Sequence, residues 1–213
     1  MMWIDISSPI DEQLAVWPGD VPFTRTMQNT MASGDAINLS SIHGTLHLGA
    51  HVDAERHYVE GGRDVADWPL ERFIGPCQVV HVPLERGGQV LPEHVADQLS
   101  TSPPPRVLLC TGTYPKAGQF NEDFAGMHPD TVDLLADRGV VLVGVDTPSV
   151  DCFAETHLPA HQRFGDRGLT ILEGLRLQSV PAGEYDLIAL PLPIRGGDGS
   201  PVRAVVRGRG SDG

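Results

Sequence analysis

Apolar and polar positions alternate in the opening segment MWIDIS, the period of a half-buried strand. AVWPGDVPF breaks the alternation, and Pro18-Gly19 predicts a tight turn that exposes Trp17. AINLSSIHG predicts a strand running toward a histidine-rich stretch, and CQVVHVPL and RVLLCTG predict two more strands. LPEHVADQL predicts a short helix with Pro92 in its first turn. HPDTVDLLADRG predicts the clearest helix: Pro129 near its start, acids in its first turn, Gly139 as its stop. It runs into VVLVGVD, a continuous apolar segment that reads as a strand buried on both faces. EYDLIALPLPI and SPVRAVVR flank RGGDGS and predict a long hairpin. Strands outnumber helices and one strand–helix–strand crossover is expected, so residues 1–213 read as a single mixed α/β domain.

Composition narrows the function classes. The 24 Gly and 18 Pro are spread along the chain, which suits many short strands and structured loops. A net charge of −13 repels phosphate, so nucleic acid and anionic membranes are poor partners. The same excess means that positive charge inside a site would have to come from a metal. Cys77, Cys110 and Cys152 form no C-x-x-C spacing, so neither a disulfide framework nor a thiolate zinc cage is expected. Neither a signal peptide nor a membrane-length apolar run is visible, and the expected location is the cytoplasm.

The chemistry concentrates in HLGAHVDAERHY, which is H-x3-H-x-D-x3-H from His47 to His57. Neutral imidazole and carboxylate together suit Zn²⁺, Mn²⁺ or Fe²⁺. His47 and His51 are four apart and can converge in a tight loop; Asp53 reaches the same point if the backbone extends. A bare histidine pair at this spacing arises by chance in a chain with nine histidines, and Asp53 and His57 tip the balance toward a metal. Spacing alone leaves His43 open, because His43-x3-His47-x3-His51 is also regular. Further ligands are available in ETHLPAHQRF, where His157 and His161 are again four apart, and at Glu173. Glu173 sits among Ile171, Leu172 and Leu175 and wants a cation if it is buried, although on an amphipathic turn it would face solvent. Asp146 ends the buried strand and either faces a site or caps the next turn.

WPGD, HLGAHVDAERHY, GVDTPSVD, AHQRF, ILEGL and YDLIALPLPIRGGDGSPVRAVV occur in the order found in the bacterial kynurenine formamidases of the metal-dependent cyclase family, which the chain resembles from Trp3 to about Arg207. The resemblance implies a swivelling β/β/α fold with a mixed sheet and a homodimer. It implies two Zn²⁺ per chain, or Mn²⁺ in their place, with His47, His51 and Asp53 as ligands, Asp53 bridging, His161 on the second ion and Glu173 bridging both. It implies His57 as the acid–base group and Trp17 as the contact for an aryl ring. The reaction implied is hydrolysis of the small molecule N-formyl-L-kynurenine to L-kynurenine and formate. The neighbouring alternative is opening of a cyclic amide such as isatin. The chain departs from the family pattern at Glu55, where proline is usual, and at Ala50, where threonine is usual; His157 competes with His161 in its loop.

Overall fold

The apolar run at 140–146 forms a strand at the middle of a large curled sheet. A computed structural model describes residues 2–209. Its strands are β1 (Ile4–Asp5), β2 (Thr24–Asn29), β3 (Leu39–His43), β4 (His51–Asp53), β5 (Ile74–His81), β6 (Gln89–Val90), β7 (Arg106–Cys110), β8 (Gly126–Met127), β9 (Leu142–Val145), β10 (Thr170–Glu173), β11 (Gly183–Ile188), β12 (Gly199–Pro201) and β13 (Val205–Gly208). The helices are α1 (Pro92–Ala96), α2 (Pro129–Asp137) and α3 (Pro159–Arg167). Single 3-10 turns lie at Glu55–His57 and Leu70–Arg72.

Nine strands form one mixed sheet in the order β1-β13-β11-β5-β7-β9-β10-β4-β12. The central strands β5, β7, β9 and β10 are parallel, and the strands outside them are antiparallel. The α/β class expected from the sequence is therefore correct. Parallel neighbours need crossovers, and α1 (β5 to β7), α2 (β7 to β9) and α3 (β9 to β10) lie in them, two more crossovers than the sequence pattern revealed.

Side-chain alternation divides the interior into two cores. Leu108, Leu142 and Leu172 point to one face, where they join Ile6, Phe73 and Leu187. Val107, Val143 and Ile171 point to the other, where they meet Leu135 of α2 and Phe164 of α3. Every residue of β7, β9 and β10 is buried, which explains why their sequences read as apolar runs without alternation.

Two expected elements differ. The long hairpin is split: β11 does pair with β13, but the segment between them leaves the pair and contributes β12 to the edge of β4. The AINLSSIHG strand exists as β3, yet it pairs only with β2 in a separate ribbon, and all five of its residues are exposed. No helix among the described residues is long and apolar enough to cross a membrane.

Two arginines, Arg106 buried and Arg72 half-buried, tie the turn at 70–72 to the sheet. Arg106, 5% exposed, donates from Nε to the Arg72 carbonyl (2.8 Å), from Nη1 to that of Pro76 (3.1 Å) and from Nη2 to that of Glu71. Arg72 in turn donates to the carbonyls of Gly168 (2.9 Å) and Val141 (3.2 Å) and to Thr170 Oγ1 (3.1 Å) at the start of β10. Arg106→Met would leave three carbonyls without their donor. We expect a loss of about 2–4 kcal/mol, read as a lower urea midpoint at unchanged m-value; an unchanged midpoint would mean that water replaces the guanidinium.

Candidate metal centre

The site is built on the register between β4 and β10. In β4, His51 and Asp53 share one face because they are two apart, while Val52 points into the opposite core. Antiparallel pairing sets Ile171 opposite Asp53 and Glu173 opposite His51, so Glu173 joins the two on the same face. A one-residue slip of β4 against β10 would turn His51 and Asp53 into the opposite, apolar core and leave Glu173 behind. His161, on the first turn of α3, covers this face from above the sheet, and the loop before β4 delivers His47.

The side chains converge closely. His51 Nε2 lies 3.2 Å from Glu173 Oε2 and 3.4 Å from Asp53 Oδ1. His161 Nε2 lies 3.3 Å from Asp53 Oδ2 and 3.8 Å from Glu173 Oε1. His47 Nδ1 lies 2.9 Å from Asp53 Oδ1. Ligand-type atoms of His51, Asp53 and Glu173 fall within 4.8 Å of one another, and so do those of His47, Asp53 and His57. Asp53 belongs to both groups. The structure brings His47, His51, Asp53, His57, His161 and Glu173 together. His43 stands on the exposed ribbon, and the exposed His157 stays outside the cluster.

Three observations fit this set to divalent cations. Asp53 Oδ2 is buried and has no hydrogen-bond partner among the described residues, an arrangement that costs several kcal/mol unless a cation meets it. His51 Nδ1 lies 2.9 Å from the Gly49 carbonyl, which can only accept, so Nδ1 carries a proton and the neutral ring turns its Nε2 lone pair to the side of the carboxylates, where a cation would meet it. His161 Nδ1 lies 2.7 Å from Asp151 Oδ2, which fixes its ring in the same sense. Asp151 also accepts from the backbone N–H of Ala160 (2.9 Å) and His161 (3.0 Å), so one carboxylate caps α3 and orients its histidine.

Asp151 was not singled out from the sequence, and neither was Asp198, which lies 3.3 Å from His47 Nε2 and 3.8 Å from His57 Nδ1. Both act through pairings that no local spacing announces. Two glycines admit close approaches here. Gly174 has φ +69°, and a Cβ on it would lie 2.1 Å from the Gly49 carbonyl oxygen. A Cβ on Gly199 would lie 2.9 Å from His47 Cε1.

The cluster opens into a cavity of about 480 Å³, the size of a small-molecule site. Trp17, Tyr114 and Phe120 line it together with His57, His161 and Glu173. Trp17 is half-buried and not fully exposed as the turn predicted. Its ring centroid lies 4.9 Å from that of Phe153, 5.5 Å from Phe120 and 6.0 Å from Phe124. Asp146 also lines the cavity, but its carboxylate is saturated by the Thr111 and Gly112 backbone N–H groups and the Thr111 hydroxyl.

The cyclase family model matches residues 4–152. The chain belongs to the cyclase family. Among related members it is 43% identical over 203 residues to the kynurenine formamidase of Polaromonas naphthalenivorans strain CJ2, covering 95% of this chain and 89% of that one. It is 41% identical over 209 residues to the kynurenine formamidase of Bordetella petrii, covering 97% of each. The fold resembles a potential metal-dependent hydrolase with cyclase activity at TM-score 0.82 and 28% identity, over 98% and 99% of the two chains. It also resembles isatin hydrolase A from Labrenzia aggregata at TM-score 0.82 and 25% identity, over 96% and 93%.

Electrostatics in this cyclase-family centre predict a pH signature. Burial opposes charge on His51 and His161, but the carboxylates of Asp53 and Glu173 accept from the first when it is protonated, and those of Asp151 and Asp53 from the second, which pushes both up to about 10. Their folded values lie above the unfolded value near ~6.5. The protonated pair therefore stabilises the metal-free protein fully below about pH 6.5, and that stability is lost as pH rises toward 10. Metal competes with the same protons. The stability gap between zinc-loaded and chelator-treated protein should widen from pH 7 to pH 10 in urea titrations. A gap that narrows would remove these histidines from the ligand set.

Proposed function

We propose that the chain hydrolyses N-formyl-L-kynurenine to L-kynurenine and formate. The observation that carries the reading is one cavity holding both a cation-seeking histidine–carboxylate cluster and the aromatic face of Trp17. The likeness to the kynurenine formamidases supports it over nearly the whole chain. The reading includes two Zn²⁺ ions, which His47, His51, Asp53, His161 and Glu173 would hold. Five ligand side chains exceed what one tetrahedral zinc takes. It also includes a single catalytic domain, a homodimer and a cytoplasmic location.

Bound there, the two cations would supply Lewis acidity, activating water and polarising the formyl oxygen. The chain's own residues do the rest. Burial lowers the His57 pKa, and the neighbouring His47 and His161 lower it further against the pull of Asp53. His57 is therefore neutral at pH 7 and able to take a proton from the attacking water. An arylamine leaves poorly as an anion, so the same imidazole returns the proton to the nitrogen as the C–N bond breaks. Trp17, backed by Phe153 and Phe120, offers a flat apolar surface to the aryl ring and keeps water from that side of the cavity.

Side-by-side assay of zinc-loaded protein on N-formyl-L-kynurenine and isatin tests the reading. Turnover of the formamide should dominate; preference for isatin would assign the site to cyclic amides, as in the structurally similar isatin hydrolase. Trp17→Ala should lower kcat/KM for N-formyl-L-kynurenine by about one to two orders of magnitude, mostly through KM. A small aliphatic formamide should be hardly affected; equal losses on both would make Trp17 a packing residue alone.

The role of His57 separates from metal binding in one variant. His57→Ala should keep two zinc ions per chain by elemental analysis and lose about 10²–10⁴-fold in kcat. Zinc lost along with activity would make His57 a ligand, as its grouping with His47 and Asp53 allows.

A further inference from the structure

Beyond packing 4.1 Å from the His47 ring, the His57 side chain makes no hydrogen bond among the described residues. Its side chain is 33% exposed, and its nearest charged partner, Asp198, is 3.8 Å away. Its position therefore depends on the backbone of the turn at Glu55–His57. That turn is a single 3-10 turn with no side-chain cap at Ala54. It rests on three short-range bonds: His57 N–H to the Ala54 carbonyl (3.0 Å), Tyr58 N–H to that of Glu55 (3.1 Å) and Val59 N–H to that of Glu55 (2.7 Å). One isolated turn of this kind is unstable without outside support.

The support comes from eight residues further on. Arg63 grips Glu55 with both arms of its guanidinium: Nη2 lies 2.6 Å from Oε1 and Nε lies 2.9 Å from Oε2. The Arg56 N–H donates to the Arg63 carbonyl at 3.1 Å and closes the same loop through the backbone. The Arg63 guanidinium stacks 4.1 Å from the ring of Trp68, a buried residue, and Arg72 stacks 4.3 Å from the same ring. Arg72 is anchored to Gly168 and Thr170 at the start of β10, the strand that ends in Glu173. A continuous series of contacts thus runs from the strand carrying Glu173, through two arginines and a tryptophan, to the turn carrying His57.

We propose that Glu55 and Arg63, braced by Trp68 and Arg72, are positioning residues that hold His57 over the carboxylate cluster. A partly exposed ion pair adds little to global stability. A bidentate pair backed by stacked cations does restrict geometry, and that is what a proton-transfer group needs. The effect on turnover rests on the reading of His57 given above; the effect on the turn does not.

The backbone offers a way to separate holding from charge. Glu55 is the first residue of its turn, a position where proline is favoured, and Ala54 before it is extended (φ −84°, ψ +154°), as a residue before proline prefers. Glu55→Pro removes the carboxylate but stiffens the same place. The experiment compares Glu55→Ala, Arg63→Met and Glu55→Pro by amide hydrogen exchange, zinc content and kinetics on N-formyl-L-kynurenine. In Glu55→Ala and Arg63→Met, exchange at Tyr58 and Val59 should quicken by at least about tenfold. In both, kcat should fall about 10–100-fold with unchanged zinc content, and KM should stay within about twofold. Glu55→Pro should restore both exchange protection and kcat. Unchanged exchange in the first two variants would overturn the proposal, and so would unchanged kcat despite faster exchange. Loss of zinc would overturn it in favour of a brace on the ligands, and failure of Glu55→Pro to rescue would mean that the carboxylate acts through its charge. Exchange is read without substrate; if the wild-type protein leaves N-formyl-L-kynurenine intact, the formamidase reading fails and exchange alone decides the brace.

Discussion

The structure turns on two carboxylates, Asp53 and Glu173, buried side by side with too little positive charge of their own. Burial pushes the Glu173 carboxyl up, and the nearby Asp53 pushes it further. Burial works on Asp53 in the same direction, but the adjacent His161, His47 and His51, when charged, overcome it and hold Asp53 well below the usual carboxylate range. One carboxylate thus collects the imidazoles and its neighbour bears the repulsion. Such a pair is tolerable only with cations, and each surrounding element can be read as meeting that need. The β4–β10 register aligns the carboxylates, β12 closes the free edge of β4, and Asp151 presents His161 from α3.

The brace around Trp68 answers a different demand on the same site. Metal ligands are held in place by the ion they share, so moderate slack in their backbone is corrected on binding. A proton-transfer group receives no such correction. His57 stands at the rim, more exposed than His51 or His161, and in the proposed proton-transfer role its accuracy would have to come from the chain. That difference explains why bidentate and stacked contacts gather at Glu55, Arg63 and Trp68, one turn away from the cluster.

Much of this was legible in the sequence. His51 and Asp53 are two apart and so share a face of any strand, and Glu173 stood out as a carboxylate in an apolar run. Helix α2 was marked by Pro129 and Gly139, and β9 by its unbroken apolar residues. What was hidden depended on distant pairing. A three-residue strand such as β4, buried throughout, has no period long enough to detect. β12 is a strand only because β4 lies beside it, so RGGDGS and its flanks read as one hairpin. Asp151 and Asp198 meet their histidines across 10 and 151 residues, a relation that spacing does not encode. The competition between His157 and His161 was likewise open in sequence, since both occupy the same loop–helix segment. In space the first turn of α3 directs His161 inward, while His157 precedes the helix and is exposed.

Chemistry and selectivity are carried by different parts of the chain. The cluster sits on paired strands deep in the sheet, where a shift of one residue would abolish it. The aromatic wall sits on the loops at Trp17, Tyr114 and Phe120, outside any strand of the sheet. Loop side chains can be exchanged without disturbing the β4–β10 register, so the wall can vary while the histidine–carboxylate frame is kept. Trp17 bears on both tasks, because its contacts with three phenylalanines stiffen the wall that its free face offers to a ligand. A rigid aromatic surface loses little freedom when a ring stacks on it, and the binding energy is then available to orient the rest of a bound ligand over the cluster.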